Sequence, residues 1–413
     1  MTREPIFGPG DGNCPDSPSR REGDGKRPRR AGKDAQNARN PRDADSGQSE
    51  DPLVEDGSDD RVGNPYVSQT NPGPSYHTSQ EEDLLLRPQH MDEMVGQREV
   101  FERIQIAVQA AQNRREPLGH ILFDGPPGLG KTTFATCIPR ELGKSCQIAN
   151  GAALKAPKDI VPYLTNAEEG SVLFIDEIHR MQKSVEEFIY PAMEDFRIDL
   201  TLGEGVNART LNIQLKPFTL IGATTRTGLI SAPMRDRFQM REHLSFYTSD
   251  ELAEIVTRSA RKLQVHIEPD AAYEIANRSH GTPRLANNRL RWVRDYADAR
   301  ANGRITPQVA LDALAMQGVD ELGLDPQDRS YLETICRVFC GGPVGVEAVA
   351  HTMNLQPDTI EDEVEPFLLR SELLIRTPRG RKVTLKGIEH LGLDPTKFDL
   401  SNPYERSNQR YLF

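Results

Sequence analysis

A glycine-rich segment followed by a lysine and two threonines is the first feature of this sequence that could perform chemistry. Residues 125–133 read GPPGLGKTT and fill the pattern G-x-x-x-x-G-K-[ST]. Glycines at Gly128 and Gly130 let backbone N–H groups turn towards phosphate oxygens, and a helix N-terminus adds partial positive charge. Lys131 can reach the β- and γ-phosphates, and the Thr132 hydroxyl can hold Mg²⁺. The pattern therefore predicts a site for the phosphates of a nucleoside triphosphate.

Two adjacent carboxylates predict that the bound triphosphate is hydrolysed. Asp176 and Glu177 follow the apolar run 171–175, which is typical of a strand buried in a parallel sheet. Ligands of such sheets bind outside the carboxyl ends of the strands. Asp176 would complete the Mg²⁺ site with Thr132, and Glu177 would orient and polarise the attacking water. Two acids after a strand can alternatively form a helix N-cap, and the preceding phosphate-binding pattern favours the catalytic interpretation.

Alternating strands and helices would position these residues. The phosphate-binding segment lies between the apolar strand 119–123 and a helix that starts near Phe134. Similar patterns predict further strands at 147–149 and 218–225 and helices at 98–113 and 184–193. This alternation predicts an α/β domain with a parallel sheet that is covered by helices on both faces.

One segment breaks this alternation. Residues 199–215 alternate apolar and polar side chains around a glycine-containing turn, which predicts a β-hairpin. Its apolar face could belong to the sheet core. It could equally be an exposed contact surface, because no third strand is evident beside it.

The chain of 413 residues is long enough for two or three folded domains after allowing for tails. We expect an N-terminal extension at 1–80, a large α/β domain at 81–249, a small helical domain at 250–320, a third domain at 321–400 and a tail at 401–413. Ser249 would be the N-cap of the first helix of the small domain. In the third domain, three helices and a strand pair around residues 377–380 predict a winged helix-turn-helix fold.

Composition sets the N-terminal extension apart from the rest of the chain. It has few large apolar residues and cannot offset the entropy of ordering, so we expect it to be disordered. Residues 20–42 carry nine Lys and Arg against three acids, and residues 43–60 carry eight acids and no base. A solvated tail is the simpler interpretation, and an arm that binds DNA or a partner is the alternative.

Charge, hydropathy and cysteine usage exclude several classes of protein. The formal net charge of −11 provides no global attraction to nucleic acid, so any DNA contact needs a local basic patch. No apolar run is long enough for a membrane span or a secretion signal. The five cysteines are scattered, and Cys336 and Cys340 lack partner ligands, so we expect reduced packing residues and no metal site. These features favour a cytoplasmic protein.

Six further segments are distinctive in their order as well as their composition. They are FIDEIHR (174–180), YPAMEDF (190–196), GATTR (222–226), LISAPMRDRF (229–238), GTPR (281–284) and RTPRGR (376–381). From about residue 86 to 391 the chain resembles the AAA+ ATPases, and among them the RuvB family of Holliday junction branch-migration ATPases. The resemblance implies an AAA+ P-loop parallel-sheet domain, a small all-α lid domain and a C-terminal winged helix-turn-helix domain. It also implies an ATP hydrolase of the DNA translocase or helicase type, which uses ATP and Mg²⁺ to drive branch migration in recombination and repair.

The resemblance assigns roles to residues of the ATPase site. Thr225 matches sensor 1, which contacts the γ-phosphate or the water, and Arg284 matches sensor 2. Arg237 matches the arginine finger that enters the site of the neighbouring subunit, and Arg235 is the alternative. The matches to nucleotide contacts are Leu86, Arg87, Gly128, Gly130, Lys131, Thr132, Thr133, Glu194, Asp195, Phe196, Arg237, Tyr247 and Arg284. Tyr247 could alternatively be an ordinary core aromatic residue.

The resemblance also implies partners. A finger that acts between subunits requires a ring, and the family forms homo-hexamers. The hairpin 199–215 would dock a RuvA-like junction-binding protein, and a junction resolvase would join the same complex near the nucleoid. On the wing, Arg376, Arg379, Arg381 and Lys382 would contact the phosphates of duplex junction DNA, with Arg376 and Arg381 as the closest matches. An unpartnered internal hairpin and a solvated basic face are the alternatives.

Two other functions remain open at this point. One is a clamp-loader-like AAA+ subunit, against which the C-terminal winged helix argues. The other is a DNA-binding regulator switched by ATP, against which the complete catalytic set argues. Asn288, Arg289 and Trp292 depart from the family pattern after the sensor 2 motif.

Overall fold

The first domain is built around a five-stranded parallel sheet. The computed structural model describes residues 79–202 and 209–398. In chain order the elements of this domain are α1 (Ser79–Leu86), α2 (Arg98–Arg114), β1 (Ile121–Asp124), α3 (Lys131–Leu142), β2 (Cys146–Asn150), α4 (Pro157–Thr165), β3 (Val172–Asp176), α5 (Lys183–Glu194), β4 (Arg197–Leu202), β5 (Arg209–Gln214), β6 (Thr219–Thr224), α6 (Ala232–Asp236) and β7 (Met240–His243). The strand order is β2-β3-β6-β1-β7, and all neighbouring pairs are parallel.

Helices cover both faces of this sheet because its central strands are apolar on both sides. Ile121 and Phe123 of β1 pack in one core with α2 and α3, whereas Leu122 packs in a second core with α4 and α5. The carboxyl ends of three central strands meet at one edge: β1 leads into the phosphate-binding loop, β3 ends at Asp176 and β6 ends at Thr224. The α/β prediction is confirmed, and the residues predicted to bind and hydrolyse the triphosphate lie at this edge of the sheet.

The edge strand β7 was missing from the sequence-based prediction. Its sequence, MREH, lacks the apolar pattern of a buried strand. Glu242 is nevertheless buried, because the Arg103 guanidinium of α2 forms a forked ion pair with it, with Nη2 at 2.6 Å from Oε2. A forked, charge-assisted pair thus takes the place of apolar packing at this edge of the sheet.

Strands β4 and β5 form the predicted hairpin. Their antiparallel register runs from Arg197 opposite Gln214 to Leu202 opposite Arg209, and residues 203–208 of the turn lie outside the described part of the chain. Ile198 at the base is fully buried in the core beneath α4 and α5, whereas Leu211 is 48% exposed. The base of the hairpin therefore belongs to the core, and its outer part is a surface.

The small domain is mainly helical. Its elements are α7 (Ser249–Lys262), β8 (His266–Ile267), α8 (Pro269–Asn277), α9 (Pro283–Arg300), β9 (Arg304–Ile305) and α10 (Pro307–Met316). The parallel pair of β8 and β9 corrects the all-α expectation in detail. Apolar residues of α7, α8 and α9 continue the core formed by α2 and α3, so one core serves both domains.

The N-cap of α7 is Thr248, so the assignment to Ser249 was wrong by one residue. Thr248 Oγ1 accepts from the Glu251 N–H, and the Glu251 carboxylate accepts from the Thr248 N–H. This reciprocal pair needs the hydroxyl three residues before the acid, which only Thr248 provides.

The third domain has the predicted winged-helix fold and a core of its own. Its elements are α11 (Pro326–Val338), α12 (Val346–Met353), α13 (Pro357–Thr359), α14 (Glu365–Arg370), β10 (Leu374–Thr377), β11 (Gly380–Val383) and α15 (Leu385–His390), and a π-helical turn, Ile360–Val364, joins α13 to α14. Because α11 ends at Val338, Cys340 lies beyond the helix on which it was expected.

The two predicted tails fall almost entirely outside the described residues. Helix α1 begins at Ser79, so the structure starts within the last two residues of the expected extension. The tail 401–413 is not among the described residues. Within the described ranges, no helix is long and apolar enough to cross a membrane.

Candidate functional site

The phosphate-binding loop joins β1 to α3 with the backbone geometry that its glycines predict. Gly125, Gly128 and Gly130 have φ values of 135°, 81° and 100°, which glycine adopts without steric cost. A Cβ atom on Gly125 would lie 2.6 Å from the Leu244 carbonyl oxygen. The loop is therefore packed tightly against the residue after β7, and α3 begins directly after it.

Lys131 lies inside this loop. Its Nζ donates to the carbonyls of Gly125 at 2.7 Å and Pro126 at 2.8 Å. Burial lowers the pKa of Lys131, and the negative charges of Glu177 and Asp176 oppose that shift. The amine is thus held among loop carbonyls near the acidic end of β3, where a phosphate would be an additional anionic partner.

The end of β3 provides oxygen ligands and a candidate base. Thr132 Oγ1 donates to Asp176 Oδ2 at 3.4 Å, and Asp176 Oδ1 accepts from the Glu177 N–H at 3.0 Å. Hydroxyl and carboxylate oxygens are ligands that Mg²⁺ prefers, so this pair fits the ion. Burial, and then the charge of Asp176, raises the pKa of Glu177. A raised pKa makes this carboxylate a better proton acceptor.

Thr225 places a second hydroxyl at this edge, directly after β6. Its Oγ1 is buried and has no hydrogen-bond partner within the described part of the chain. The neighbouring Thr224 hydroxyl is already engaged with His179 Nδ1 at 2.9 Å, and His179 Nε2 lies 3.4 Å from Glu177 Oε2. Buried hydroxyls are nearly always hydrogen-bonded, so Thr225 fits a residue that contacts a ligand.

A cavity of about 760 Å³ opens between the first domain and the small domain beside these residues. The predicted site residues that line it are Leu86, Arg87, Gly128, Gly130, Lys131, Thr132, Thr133, Asp176, Glu177, Tyr247 and Arg284. The structure therefore brings together most of the predicted nucleotide contacts, from three helices, the end of β3 and both domains, whereas Thr225 is not among the residues that line the cavity.

Tyr247 and Arg284 connect the two domains at this cavity. The Tyr247 ring packs against Gly96, and its hydroxyl donates to the Leu129 carbonyl at 3.3 Å. Tyr247 is also part of the shared core, so the two interpretations of this residue are compatible. Arg284 stands at the N-terminus of α9, and its N–H donates to the Gly128 carbonyl at 3.4 Å. The small domain thus contacts the phosphate-binding loop directly.

The sequence-based prediction missed the polar wall that α7 and α9 contribute. Arg258 and Lys262 of α7 and Asn287 and Arg291 of α9 line the cavity. Glu93 organises the α7 pair: its carbonyl accepts from Arg258 Nη1 at 2.8 Å, and its Oε2 pairs with Lys262 Nζ at 3.1 Å. Each helix presents its two residues at the spacing i and i+4, which puts them on one face. This i, i+4 spacing of polar residues was the feature of the sequence from which the wall could have been predicted.

The departures from the family pattern on α9 have structural partners. Asn288 lines the cavity. Arg289 is buried, and its Nη2 donates to the Gly323 carbonyl at 3.0 Å. Trp292 Nε1 donates to the Ala313 carbonyl of α10 at 2.7 Å. The altered residues therefore support the small domain and its connection to the winged helix.

A second group of predicted site residues lies outside the cavity. The Arg237 guanidinium stacks on the Tyr190 ring at 4.1 Å and pairs with Glu194 Oε1 at 3.1 Å. Asp195 and Phe196 follow Glu194 after α5, and the alternative finger, Arg235, lies on α6 two residues before Arg237. None of these residues lines the cavity described above. The structure thus separates Arg237 and its neighbours from the nucleotide contacts of the same chain.

The wing residues differ in what they contact. The fully buried Glu365 accepts from Arg381 Nε at 2.7 Å and from Arg376 Nε at 2.8 Å. Its pKa is lowered: burial would raise it, and hydrogen bonds from Arg381, Tyr331 and Arg376 outweigh burial. Arg379 at the tip is exposed. Lys382 is buried and the Arg381 side chain is 14% exposed, so only part of the predicted cluster of four bases is exposed.

Family models match consecutive parts of the chain. The P-loop domain of the Holliday junction DNA helicase RuvB matches residues 86–244. The RuvB AAA lid domain matches residues 247–320, and the RuvB C-terminal winged helix domain matches residues 321–392. The three matches coincide with the three domains of the fold.

Individual proteins give the same result. The Holliday junction branch migration complex subunit RuvB of Rhodopirellula baltica is 65% identical over 309 residues, which are 75% of this chain and 84% of that protein. The Thermotoga maritima RuvB Holliday junction branch migration motor is 43% identical with a TM-score of 0.69, and a point mutant of it is 44% identical with a TM-score of 0.70; each alignment covers 75% of this chain and 99% of the solved one. With the P-loop, lid and winged-helix domains matched in this order, the chain belongs to the RuvB family of Holliday junction branch migration proteins.

Proposed function

We propose that this chain is an ATP-driven motor that moves duplex DNA through Holliday junctions during recombination and repair. The observation that carries the proposal is the cavity in which the phosphate-binding loop, the acidic end of β3 and Arg284 of the small domain meet. The names of the R. baltica and T. maritima relatives support branch migration. They give no support to a clamp-loader-like subunit or an ATP-switched regulator.

The loop and the acidic strand would hold the triphosphate. Lys131 and the N-terminus of α3 would bind the β- and γ-phosphates. Thr132 and Asp176 would hold Mg²⁺, which neutralises phosphate charge when it is bound. Gly128 and Gly130 allow the loop backbone to approach the phosphates closely.

Three further residues would complete hydrolysis and report on it. Glu177 would orient the attacking water and accept its proton, which its raised pKa favours. The Thr225 hydroxyl would contact the γ-phosphate or this water. Arg284 would change its contact with the phosphates as the small domain moves, which links the state of the nucleotide to the position of that domain.

The group around Arg237 would act on the site of an adjacent subunit. Its position outside the cavity of its own chain supports this role. A guanidinium supplied by a neighbour stabilises the charge of the transition state. We propose a homo-hexameric ring, in which Glu194, Asp195 and Phe196 lie at the same subunit boundary as Arg237.

DNA and partner contacts would lie on the other two surfaces. The wing, with Arg376, Arg379 and Arg381, would contact backbone phosphates, and six copies in a ring would compensate for the net charge of −11. The outer part of the hairpin would dock a RuvA-like protein, and a junction resolvase would join the complex. We place the domain limits at 81–249, 250–320 and 321–400, and the assembly in the cytoplasm on the nucleoid.

Substitution of the loop lysine tests the proposal. Lys131→Ala should retain junction binding in the presence of the partner but lose branch migration, with ATP turnover lowered by about 100-fold or more, because a single preorganised donor to the transition state contributes that much. Lys144→Ala removes an exposed lysine just beyond the other end of α3 and should leave both activities unchanged. ATP-dependent branch migration by the Lys131→Ala protein would contradict the proposal.

A further inference from the structure

Arg226 follows Thr225 and reaches from the ATPase domain to the winged helix. Its Nε donates to Asp362 Oδ1 at 3.0 Å, and its Nη1 pairs with Asp358 Oδ1 at 2.9 Å. Its third nitrogen, Nη2, lies 3.6 Å from Glu361 Oε2 and is buried without a hydrogen-bond partner in the described ranges. Arg226 therefore has short contacts with Asp362 and Asp358, whereas its contact with Glu361 is longer and is not a hydrogen bond.

The acids belong to one face of the winged helix. Asp358, Glu361, Asp362 and Glu365 follow each other at spacings of i, i+3, i+4 and i+7 through α13, the π-helical turn and the start of α14. The first three contact Arg226, and Glu361 and Glu365 both contact Arg381, so the four side chains lie on one face. We call these four residues the acidic face.

Glu361 is shared between the ATPase domain and the wing. Its Oε1 accepts from Arg381 Nη2 of β11 at 2.7 Å, and its Oε2 is the oxygen nearest to Arg226 Nη2. Glu365, the next acid on the face, accepts hydrogen bonds from both Arg381 and Arg376. A single carboxylate thus lies between the loop after β6 and the arginines proposed to contact DNA.

The other side of Arg226 is tied to the catalytic carboxylate. The Arg226 N–H donates to Thr224 Oγ1 at 2.9 Å, and the same hydroxyl is hydrogen-bonded to His179, which lies beside Glu177. A chain of contacts therefore connects the acidic face, through Arg226, Thr224 and His179, to Glu177.

We propose that Arg226 is a positioning residue that joins the Thr225 turn to the acidic face, so that DNA on the wing changes the rate of ATP hydrolysis. The inference rests on the proposed motor function. Backbone phosphates compete with Glu361 for Arg381, because both are anions that bind the same guanidinium. When Arg381 turns to a phosphate, Glu361 is released to close its contact with Arg226. The turn that carries Thr225 is then held more firmly in its catalytic position.

The test compares two acids of the same helical turn in the full-length protein. Glu361→Gln removes the shared carboxylate, and Glu363→Gln removes the charge of an exposed neighbour. ATP turnover is measured without DNA and with saturating duplex DNA, so that altered DNA affinity does not enter the comparison. We expect Glu361→Gln to lower the stimulation by DNA by about three- to tenfold, with turnover in the absence of DNA and KM for ATP within about twofold of wild type. Glu363→Gln should retain full stimulation.

A double-mutant cycle identifies Arg226 as the other partner. Arg226→Gln should lower stimulation as Glu361→Gln does, the double variant should be no worse than either single variant, and Arg226→Lys should recover part of the effect. Three outcomes would overturn the inference. The losses of stimulation in the two single variants could add in the double variant, they could be equal in Glu361→Gln and Glu363→Gln, or DNA could leave the wild-type rate of ATP turnover unchanged. A wild-type chain without ATP turnover would instead overturn the proposed function.

Discussion

At the scale of single residues, burial has opposite consequences for two glutamates. Glu177 is half-buried beside Asp176, and its pKa is raised. Glu365 is fully buried, yet its pKa is lowered because Arg381, Tyr331 and Arg376 donate to it. The surroundings thus prepare one carboxylate to accept a proton and the other to remain an anion that holds the wing in place.

Loss of the Glu177 carboxylate should stop hydrolysis without stopping binding. Glu177→Gln keeps the shape of the side chain and removes the base, so turnover should fall by about 100-fold or more, with nucleotide affinity within about threefold. Because its pKa is raised, the wild-type rate should decline on acidification at a pH above the ordinary glutamate range, and the variant should lack this decline. Steady-state turnover against pH and equilibrium nucleotide binding measure the two effects.

A matched acid at the other end of the strand provides the control for this experiment. Glu169 is exposed and precedes the amino end of β3, so Glu169→Gln removes the same charge far from the cavity. If the ATP turnover rate of Glu177→Gln lies within threefold of the rate of Glu169→Gln, Glu177 is not the base.

Arg379 at the wing tip should contribute a phosphate contact that is independent of base sequence. Arg379→Ala should weaken binding to all duplexes by a similar factor and should lower the slope of log affinity against log salt by about 1 for each wing engaged. Arg300→Ala removes an exposed arginine of the small domain and serves as the control. Fluorescence anisotropy at several salt concentrations gives the slope, and an unchanged slope for Arg379→Ala would exclude the contact.

At the scale of elements, the hairpin of β4 and β5 combines a packed base with an exposed outer part. Ile198 is buried with the helices beneath the sheet, whereas five of the six residues of β5 are exposed. An exposed apolar side chain such as Leu211 on a two-stranded ribbon is stabilised when a partner covers it. The hairpin therefore has the features of a docking element that the core anchors.

A charge on the apolar face of β5 should disrupt partner binding selectively. Leu211→Asp should weaken binding of a RuvA-like protein by about 30-fold, the effect of losing an interface hot spot, and leave ATP turnover in the absence of the partner unchanged. Thr210→Asp adds the same charge to the opposite face of the strand and should have a much smaller effect. Equal losses for the two variants would argue against a specific apolar contact.

The sequence predicts best those elements whose signals are local. The phosphate-binding loop and the acidic end of β3 each depend on a few adjacent residues, and both are where we expected them. Strand β7 was missed because its polar sequence is accommodated by an ion pair between Glu242 and Arg103, which are 139 residues apart. Arg258 and Lys262 were missed for a similar reason, because only the packing of two domains turns a helix face into the wall of a cavity.

At the scale of the whole molecule, the residues assigned to hydrolysis fall into two groups that one chain does not bring together. Lys131, Asp176 and Glu177 line the cavity, whereas Arg237 lies outside it with Glu194 and Tyr190. If Arg237 acts as proposed, a complete site would need two copies of the chain, each of which would supply a different part of it. In the proposed homo-hexamer, closure into a ring would give every site an Arg237 from a neighbouring subunit.

Mixing experiments should show that Arg237 acts between subunits. Arg237→Ala alone should lower turnover by about 1,000-fold, as loss of an arginine finger does, while binding ATP normally. Addition of Lys131→Ala subunits, which have a finger but no working site, should restore turnover at the sites that they face. Arg241→Ala, in the exposed part of β7, is the control. If no mixing ratio restores turnover, Arg237 does not act in trans.

The apolar core that the first and small domains share limits how they can move. Pulling them apart would expose that core to water at about 25 cal/mol for each Å² of apolar surface, whereas rotation keeps the side chains in contact. The shared core would therefore favour a change of angle across the cavity over separation of the two domains. The winged helix has a separate core and is bonded to the first domain through Arg226 and Asp362, so a change of angle across the cavity would also shift the domain that is proposed to hold DNA.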